Sequence, residues 1–168
     1  MRRLRLIQDA LLAALAVLGA ATILALMAHV VADVARRNLG GAPIPATYEI
    51  VTNYYMIGLA FLPLAWVERR GGMVQVELIE PFLSPALRVW SDRLVALLSA
   101  AIYGALGWVA LGAALRATAT GTYVIAQTQR VPVWPATWMV PLGFGLAMLV
   151  TVLRLVLPPE DPAPETAA

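Results

Sequence analysis

Few residues in this chain could do chemistry, and they are scattered. There is a single histidine, His29, and no cysteine among 168 residues, so a disulfide, a thiol relay and a Cys-ligated metal are excluded. His29 lies near the end of a long apolar stretch, where a lone titratable side chain could relay a proton across a membrane. That stretch contains no acid and no second histidine at metal-ligand spacing. A hydrogen-bonded packing role is therefore the favoured interpretation, and a proton relay is the alternative.

The motifs of common enzyme classes are missing as well. The sequence has no Ser/His/Asp set, no HExxH, no glycine-rich phosphate loop and no pair of carboxylates inside an apolar stretch. A single histidine also cannot supply both axial ligands of a buried haem. The formal net charge is only +2 and the arginines are dispersed, which argues against binding to nucleic acid. The sequence predicts no enzyme, no cofactor and no metal.

Charged residues gather where the apolar stretches end. Asp33 precedes Arg36 and Arg37 by three and four residues, so a helix would place its carboxylate beside either guanidinium. A solvated ion pair is the favoured interpretation, and a polar contact with a partner outside a membrane is the alternative. Glu49 falls in the first turn of a second predicted helix, at the positive end of its dipole. Asn53, one turn later, could hydrogen-bond to a neighbouring helix, and packing is the favoured interpretation for it.

Four long apolar stretches must position these residues. They contain no charged side chain and cover about residues 10–32, 50–67, 94–115 and 133–153. A bilayer core about 30 Å thick needs about 20 helical residues to cross. The 61% hydrophobic composition also exceeds the about 45–50% of soluble domains. The sequence predicts an all-α integral membrane protein with four transmembrane helices in one membrane domain, residues 1–157.

The ends of the chain lead to three further expectations. The first apolar stretch has 23 residues, against about 7–15 in a signal-peptide core, so we expect an uncleaved first helix. Residues 158–168 are rich in proline and acid and are predicted to form a disordered tail. With the N-terminus inside, eight of the twelve arginines fall in cytoplasmic segments. Because arginine is retained in the cytoplasm during insertion, both termini are predicted to lie there.

The connection between the second and third stretches is the least ordinary. Residues 76–83 are too apolar for a free loop and too short to span, which predicts an amphipathic segment lying in the membrane interface. The candidate charges of this interfacial region are Arg69, Arg70, Glu77, Glu80 and Arg88. Ser84 and Pro85 then predict an N-cap and a first helical position. A helix from there to about Thr118 exceeds the bilayer core and must tilt or project.

Side chains within the stretches and at their ends predict how the helices pack and where the membrane ends. Gly104, Gly107 and Gly112 would let the third helix approach a neighbour closely. Tyrosines and tryptophans gather near the ends of the second and fourth stretches. Because amphipathic rings favour the headgroup level of the membrane, this pattern supports the predicted ends of these spans.

Short motifs stand in a set order around the four stretches. They are DVARR at 33–37, PIP at 43–45 with YEI at 48–50, GLAF at 58–61 with RRGGMVQVEL at 69–78, and RVPVWP at 130–135 with VPLGF at 140–144. In this order they resemble the small membrane subunit of tripartite ATP-independent periplasmic (TRAP) transporters, the DctQ-like family. The resemblance covers about residues 9–157. The family often has His where this chain has Met73, so no role of that His carries over.

The resemblance implies a multi-subunit transporter of the bacterial inner membrane. A large permease subunit of about a dozen helices would bind substrate and sodium, and a periplasmic protein would capture the substrate, usually an organic acid. The small subunit would brace the permease and help dock the binding protein. The residues expected to form its periplasmic contact surface are Asp33, Arg36, Arg37, Glu49 and Arg130. The substrate itself is not specified by this chain.

Other classes of membrane protein remain open from the residues alone. A stand-alone four-helix exporter would need a carboxylate embedded in the membrane to exchange protons for its cargo, and none of the four stretches contains one. An accessory subunit of some other membrane complex would show the same charge-free spans. A membrane redox enzyme is a weaker alternative, because its thiol version needs cysteine.

Overall fold

Helices joined by short turns make up most of this chain. The computed structural model describes residues 2–69 and 84–156. The elements are α1 (Arg2–Asn38), α2 (Thr47–Ile50), a π-helical turn (Val51–Tyr55), α3 (Met56–Phe61), α4 (Leu64–Arg69), α5 (Pro85–Thr120), β1 (Tyr123–Ala126), β2 (Gln129–Pro132), α6 (Trp134–Thr137) and α7 (Met139–Val156). The predicted interfacial segment and the predicted tail lie outside the described residues and stay predictions.

The prediction of four spans is confirmed. Within the described residues, four helical stretches are long and apolar enough to cross a membrane: Leu12–Asn38, Thr47–Arg69, Leu87–Thr120 and Trp134–Leu155. The second span is segmented rather than one regular helix, because the backbone widens in the π turn and bends at Leu62 and Pro63. The orientation with both termini inside stays a prediction.

The third span has the predicted start and the predicted excess length. Ser84 is extended at the N-cap and Pro85 opens the helix, although the Ser84 side chain makes no capping hydrogen bond. The helix has 36 residues, which is about 54 Å at a rise of about 1.5 Å per residue. Its end is a Schellman motif, since Gly121 is left-handed and Thr122 N–H donates to the Ala117 carbonyl at 3.0 Å.

An antiparallel hairpin departs from the all-α prediction. β1 pairs with β2 in a register that sets Val124 opposite Val131 and Ile125 opposite Arg130. The described chain is otherwise helical, and the all-α prediction did not include these two short strands. The hairpin turns on Gln127 and Thr128, and this pair lacks the Asn-Gly or Asp-Gly signal that marks most two-residue hairpin loops.

Two glycines of α5 bring the third span close to the fourth. A Cβ on Gly104 would lie 3.1 Å from the Met148 sulfur, and one on Gly107 would lie 3.5 Å from Cβ of Phe144. These two positions confirm the predicted close approach. Gly112 does not take part, since its nearest neighbour beyond the helix backbone is a side chain of its own helix, at 3.6 Å.

The first span is held by a small core at one end. Leu12 and Leu15 are buried with Ala65 of α4 and Val150 of α7. Most of the remaining α1 surface is exposed within the described chain, including Leu24 at 68%. An apolar surface of this kind is ordinary in a membrane, because lipid or another membrane protein covers it.

Candidate functional site

Asp33 ties the end of α1 to the loop that follows. Its Oδ1 accepts the Ile44 N–H at 2.7 Å, and its Oδ2 pairs with Arg37 Nη2 at 2.8 Å. The predicted pairing with Arg37 is confirmed. The favoured picture of a solvated pair is wrong for the acid, because Asp33 is only 4% exposed under the returning loop. A charge held by two donors in this way serves to fix the loop.

His29 continues this polar contact deeper into the bundle. Its Nδ1 lies 3.4 Å from the Tyr55 hydroxyl and its Nε2 lies 3.4 Å from Thr47 Oγ1. Thr47 donates its single proton to the Ile44 carbonyl at 3.0 Å. Both ring nitrogens of His29 thus face hydroxyl groups of the second span. This geometry fits the packing role favoured for His29. In residues 2–69 and 84–156, no cluster of acids and histidine suited to a metal is found.

The π turn aims two adjacent tyrosines at different elements. Tyr55 contacts His29 of α1 edge-on, with ring centroids 5.8 Å apart, while the Tyr54 hydroxyl donates to the Pro132 carbonyl of β2. Asn53 in the same turn donates to the Glu49 carbonyl at 2.8 Å. Asn53 thus bonds within its own span, and not to a neighbouring helix as the sequence allowed. The amide side chain therefore bonds to the backbone one turn earlier, beside the π turn.

The hairpin carries Arg130 on its exposed side. The guanidinium carbon lies 4.8 Å from the centroid of the Tyr123 ring, a cation–π contact. The opposite side faces the bundle, where Ala126 is 2% exposed. Trp138 Nε1 donates to Thr118 Oγ1 at 2.9 Å and joins the turn between α6 and α7 to α5.

The structure brings the five predicted contact residues to one end of the bundle but gives them unequal roles. This end comprises the end of α1, the start of α2 and the hairpin, which the bonds of Tyr54 and Tyr55 hold together. Asp33 and Arg37 face each other, whereas Arg36 and Arg130 are exposed and Glu49 is half-buried. Sequence reasoning missed the tyrosine contacts, because no local signal marks a π turn.

The other end of the bundle has a brace that was not predicted. Glu68, with its side chain 12% exposed, accepts the Tyr103 O–H at 2.9 Å. Arg154 Nη1 lies 3.7 Å from Oε1 of the same glutamate. The second, third and fourth spans therefore meet at one carboxylate. A signal was available, since Glu68 and Arg154 are the first charged residues after their respective apolar stretches.

Only part of the predicted interfacial set can be placed. Arg69 ends α4, and the Arg88 N–H donates to the Ser84 carbonyl at 3.0 Å in the first turn of α5. Arg70, Glu77 and Glu80 lie outside the described residues. The interfacial set therefore stays a prediction.

An apolar groove runs between α5 and α7. Its volume is about 260 Å³, and glycines at 104, 107 and 145 form part of its floor. Trp108 and Leu142 stand beside it and are 77% and 56% exposed. A Cβ on Gly145 would meet no atom within 4 Å. This glycine is therefore not required by packing inside the chain.

Comparison with known proteins gives the family. No curated protein matches the sequence. The model of the family described as "Tripartite ATP-independent periplasmic transporters, DctQ component" matches residues 26–158. That range runs from the C-terminal third of α1 through the whole of α7, and so takes in the Asp33 contact, the hairpin and the Glu68 brace. The chain therefore belongs to the DctQ family, the small membrane component of TRAP transporters, and is a transporter component rather than an enzyme.

Proposed function

We propose that this chain braces the large permease subunit of its transporter and helps to dock the substrate-binding protein. Members of the family work with these two partners as a tripartite system. The proposal places the chain in a bacterial inner membrane with both termini in the cytoplasm. Sodium coupling and an organic acid substrate belong to the same proposal, with both binding sites in the partner subunits.

The observation that carries the proposal is that two acids at the ends of the spans, Asp33 and Glu68, are bonded inside the chain. Asp33 is bonded to the loop after α1, and Glu68 is bonded to Tyr103 and Arg154. The apolar stretches themselves contain no charged residue. Membrane proteins that move protons or ions use ionisable groups in the spans along the path. Acids committed to bracing favour a scaffold over the stand-alone exporter.

Trp108 supports a protein partner beside the groove. It lies about 5 Å along α5 from the midpoint of residues 94–115, at about 1.5 Å per residue. Tryptophan normally stays at the membrane interface, where its N–H finds water or headgroups. Its indole N–H has no acceptor within the described part of the chain, and its side chain is 77% exposed. An unsatisfied donor in hydrocarbon is costly, so we assign this face to the permease.

The exposed charges at the hairpin end support the docking role. Arg36 and Arg130 are exposed, and the Ile44 N–H bond to Asp33 holds the loop that follows α1 in place. In the proposed contact surface, Arg36 and Arg130 would touch the partner, and Asp33 would hold the loop beside them in position.

The test of the proposal is reconstitution of the complete system. The chain, its permease and the binding protein are co-expressed, and the complex is purified through a tag on this chain. We expect the permease to co-purify and labelled substrate uptake into proteoliposomes to require all three proteins. Recovery of the chain alone, with transport by the chain alone, would establish the exporter alternative.

A matched pair of variants tests the permease-contacting face. Trp108→Leu and Trp90→Leu change the same side chain on the same helix, at 77% and 72% exposure. Trp90 lies near the first turns of α5, far from the groove. We expect only Trp108→Leu to reduce the amount of permease recovered. Equal recovery with both variants would show that the groove face is covered by lipid.

A further inference from the structure

The outward face of the β1–β2 hairpin combines aromatic, aliphatic and cationic side chains. Because side chains alternate along a strand, the register places Tyr123, Ile125 and Arg130 on one face. Ile125 is 68% exposed and Tyr123 is 42% exposed. The opposite face is turned inward, where Ala126 is buried and Val131 is partly buried. The hairpin therefore presents a defined outer surface, made of residue types that dominate binding hot spots.

The bundle holds this hairpin in place. A two-stranded hairpin is marginally stable by itself. Here the Tyr54 hydroxyl bonds to the Pro132 carbonyl, and the Val133 N–H donates to the Thr122 carbonyl at 2.9 Å. The first bond ties β2 to the second span, and the second bond closes the base of the hairpin between α5 and α6. A surface fixed in this way loses little conformational entropy when a partner binds.

The hairpin lies beyond the hydrocarbon of the bilayer. It follows the Schellman end of α5 and precedes the tryptophans that open the fourth span. Arg116 precedes the hairpin and Arg130 lies within it. The hairpin and both arginines lie outside the apolar stretches. Lipid tails therefore do not cover Ile125, unlike the exposed leucines of the spans. An exposed apolar patch in water, bordered by polar groups, marks a site of protein interaction.

The charge around the patch is basic. Arg36, Arg116 and Arg130 are exposed at this end of the described chain, and Glu49 is half-buried. The carboxylate of Asp33 does not offset them, since it is buried and already paired with Arg37. A basic surface attracts an acidic partner and speeds its encounter.

We propose that this outward face docks an acidic surface with an apolar centre on the substrate-binding protein. The inference rests on the proposed function and adds the chemistry of the contact. Ile125 and Tyr123 supply the apolar centre, and Arg130, held over the Tyr123 ring, supplies the charge at its edge.

The test uses two variants with the same change in net charge on opposite faces of the hairpin. Arg130→Gln removes one positive charge from the outer face, and Gln129→Glu adds one negative charge to the other face. Ile125→Ser removes the apolar centre. Each is made in the complete membrane complex in nanodiscs, and the Kd and association rate of the purified binding protein are measured at low and high salt.

We expect Arg130→Gln and Ile125→Ser each to raise Kd by about fivefold or more, the effect of losing about 1 kcal/mol at a hot spot. Gln129→Glu should change Kd by less than about twofold. The effect of Arg130→Gln should lie in the association rate and shrink with salt. Normal binding by all three variants, or equal weakening by both charge variants, would overturn the proposal. If the wild-type complex forms but does not bind the binding protein, the proposed docking function itself fails.

Discussion

Gly143 is the position where one methyl group should do the most damage. A Cβ placed there would overlap the backbone carbonyl oxygen of Phe61 and lie 2.9 Å from its Cβ. The obstacle is backbone, so no side-chain rotation can relieve it. In Gly143→Ala, α3 has to move away from α7, and the edge-on contact of Phe61 with Phe144, at 5.3 Å between ring centroids, is disturbed.

Two opposing effects set the change in the free energy of unfolding for Gly143→Ala. Alanine is favoured over glycine in a helix by about 1 kcal/mol. Overpacking a tight contact costs about 1–3 kcal/mol, and contact with backbone belongs at the upper end of that range. We expect a net loss of about 1–2 kcal/mol, or a fall in Tm of about 2–8 °C for a chain of this length.

Gly145→Ala supplies the control. It lies two residues away on the same helix, and its added methyl group meets no atom within 4 Å. In the purified chain, heated in detergent and followed by tryptophan fluorescence, we expect an unchanged or higher Tm for Gly145→Ala and a lower one for Gly143→Ala. Identical Tm values for the two variants would refute the close approach of α3 to α7.

Three other outcomes follow from the contacts. Tyr103→Phe removes the O–H donor to Glu68 and should cost about 1–2 kcal/mol of stability, measured as a lower Tm; an unchanged Tm would mean that the brace is not formed. Asp33→Asn keeps an acceptor for the Ile44 N–H whereas Asp33→Ala does not, so amide exchange at Ile44 should accelerate only in the alanine variant. Gly145→Ala should leave the isolated chain stable yet reduce permease recovery, since its methyl group enters the proposed contact groove; full recovery would argue against that groove.

The spans and the start of α5 could be predicted because their signals are local. An apolar run of about 20 residues predicts a crossing wherever it occurs, and Ser84-Pro85 marks a helix start in its own two residues. The pairing of Asp33 with Arg37 is equally local, at one helical turn. The DctQ family could be recognised for a related reason, since its motifs lie at the ends of these predictable helices.

Contacts between distant parts of the chain could not be predicted in the same way. The burial of Asp33 depends on a loop folding back to present the Ile44 amide. The brace joins Glu68 to Tyr103, which lies 35 positions later in the sequence, and to Arg154, which lies 86 positions later. The hairpin has only four residues per strand, too few for a period-two pattern to stand out from a loop. In each case the deciding interaction is tertiary.

The brace at Glu68 also has a consequence for the order in which the protein is made. Its two side-chain partners belong to later spans, and Arg154 follows 86 residues behind. At about 5–20 residues per second, the ribosome needs about 4–17 s to reach that arginine. Until then the carboxylate lacks its cation, and the first two spans are held by the His29 and Asp33 contacts and by the packing of Leu12 and Leu15 against Ala65. The bundle is therefore locked from its last helix, and a nascent chain interrupted before Arg154 stays open at that end.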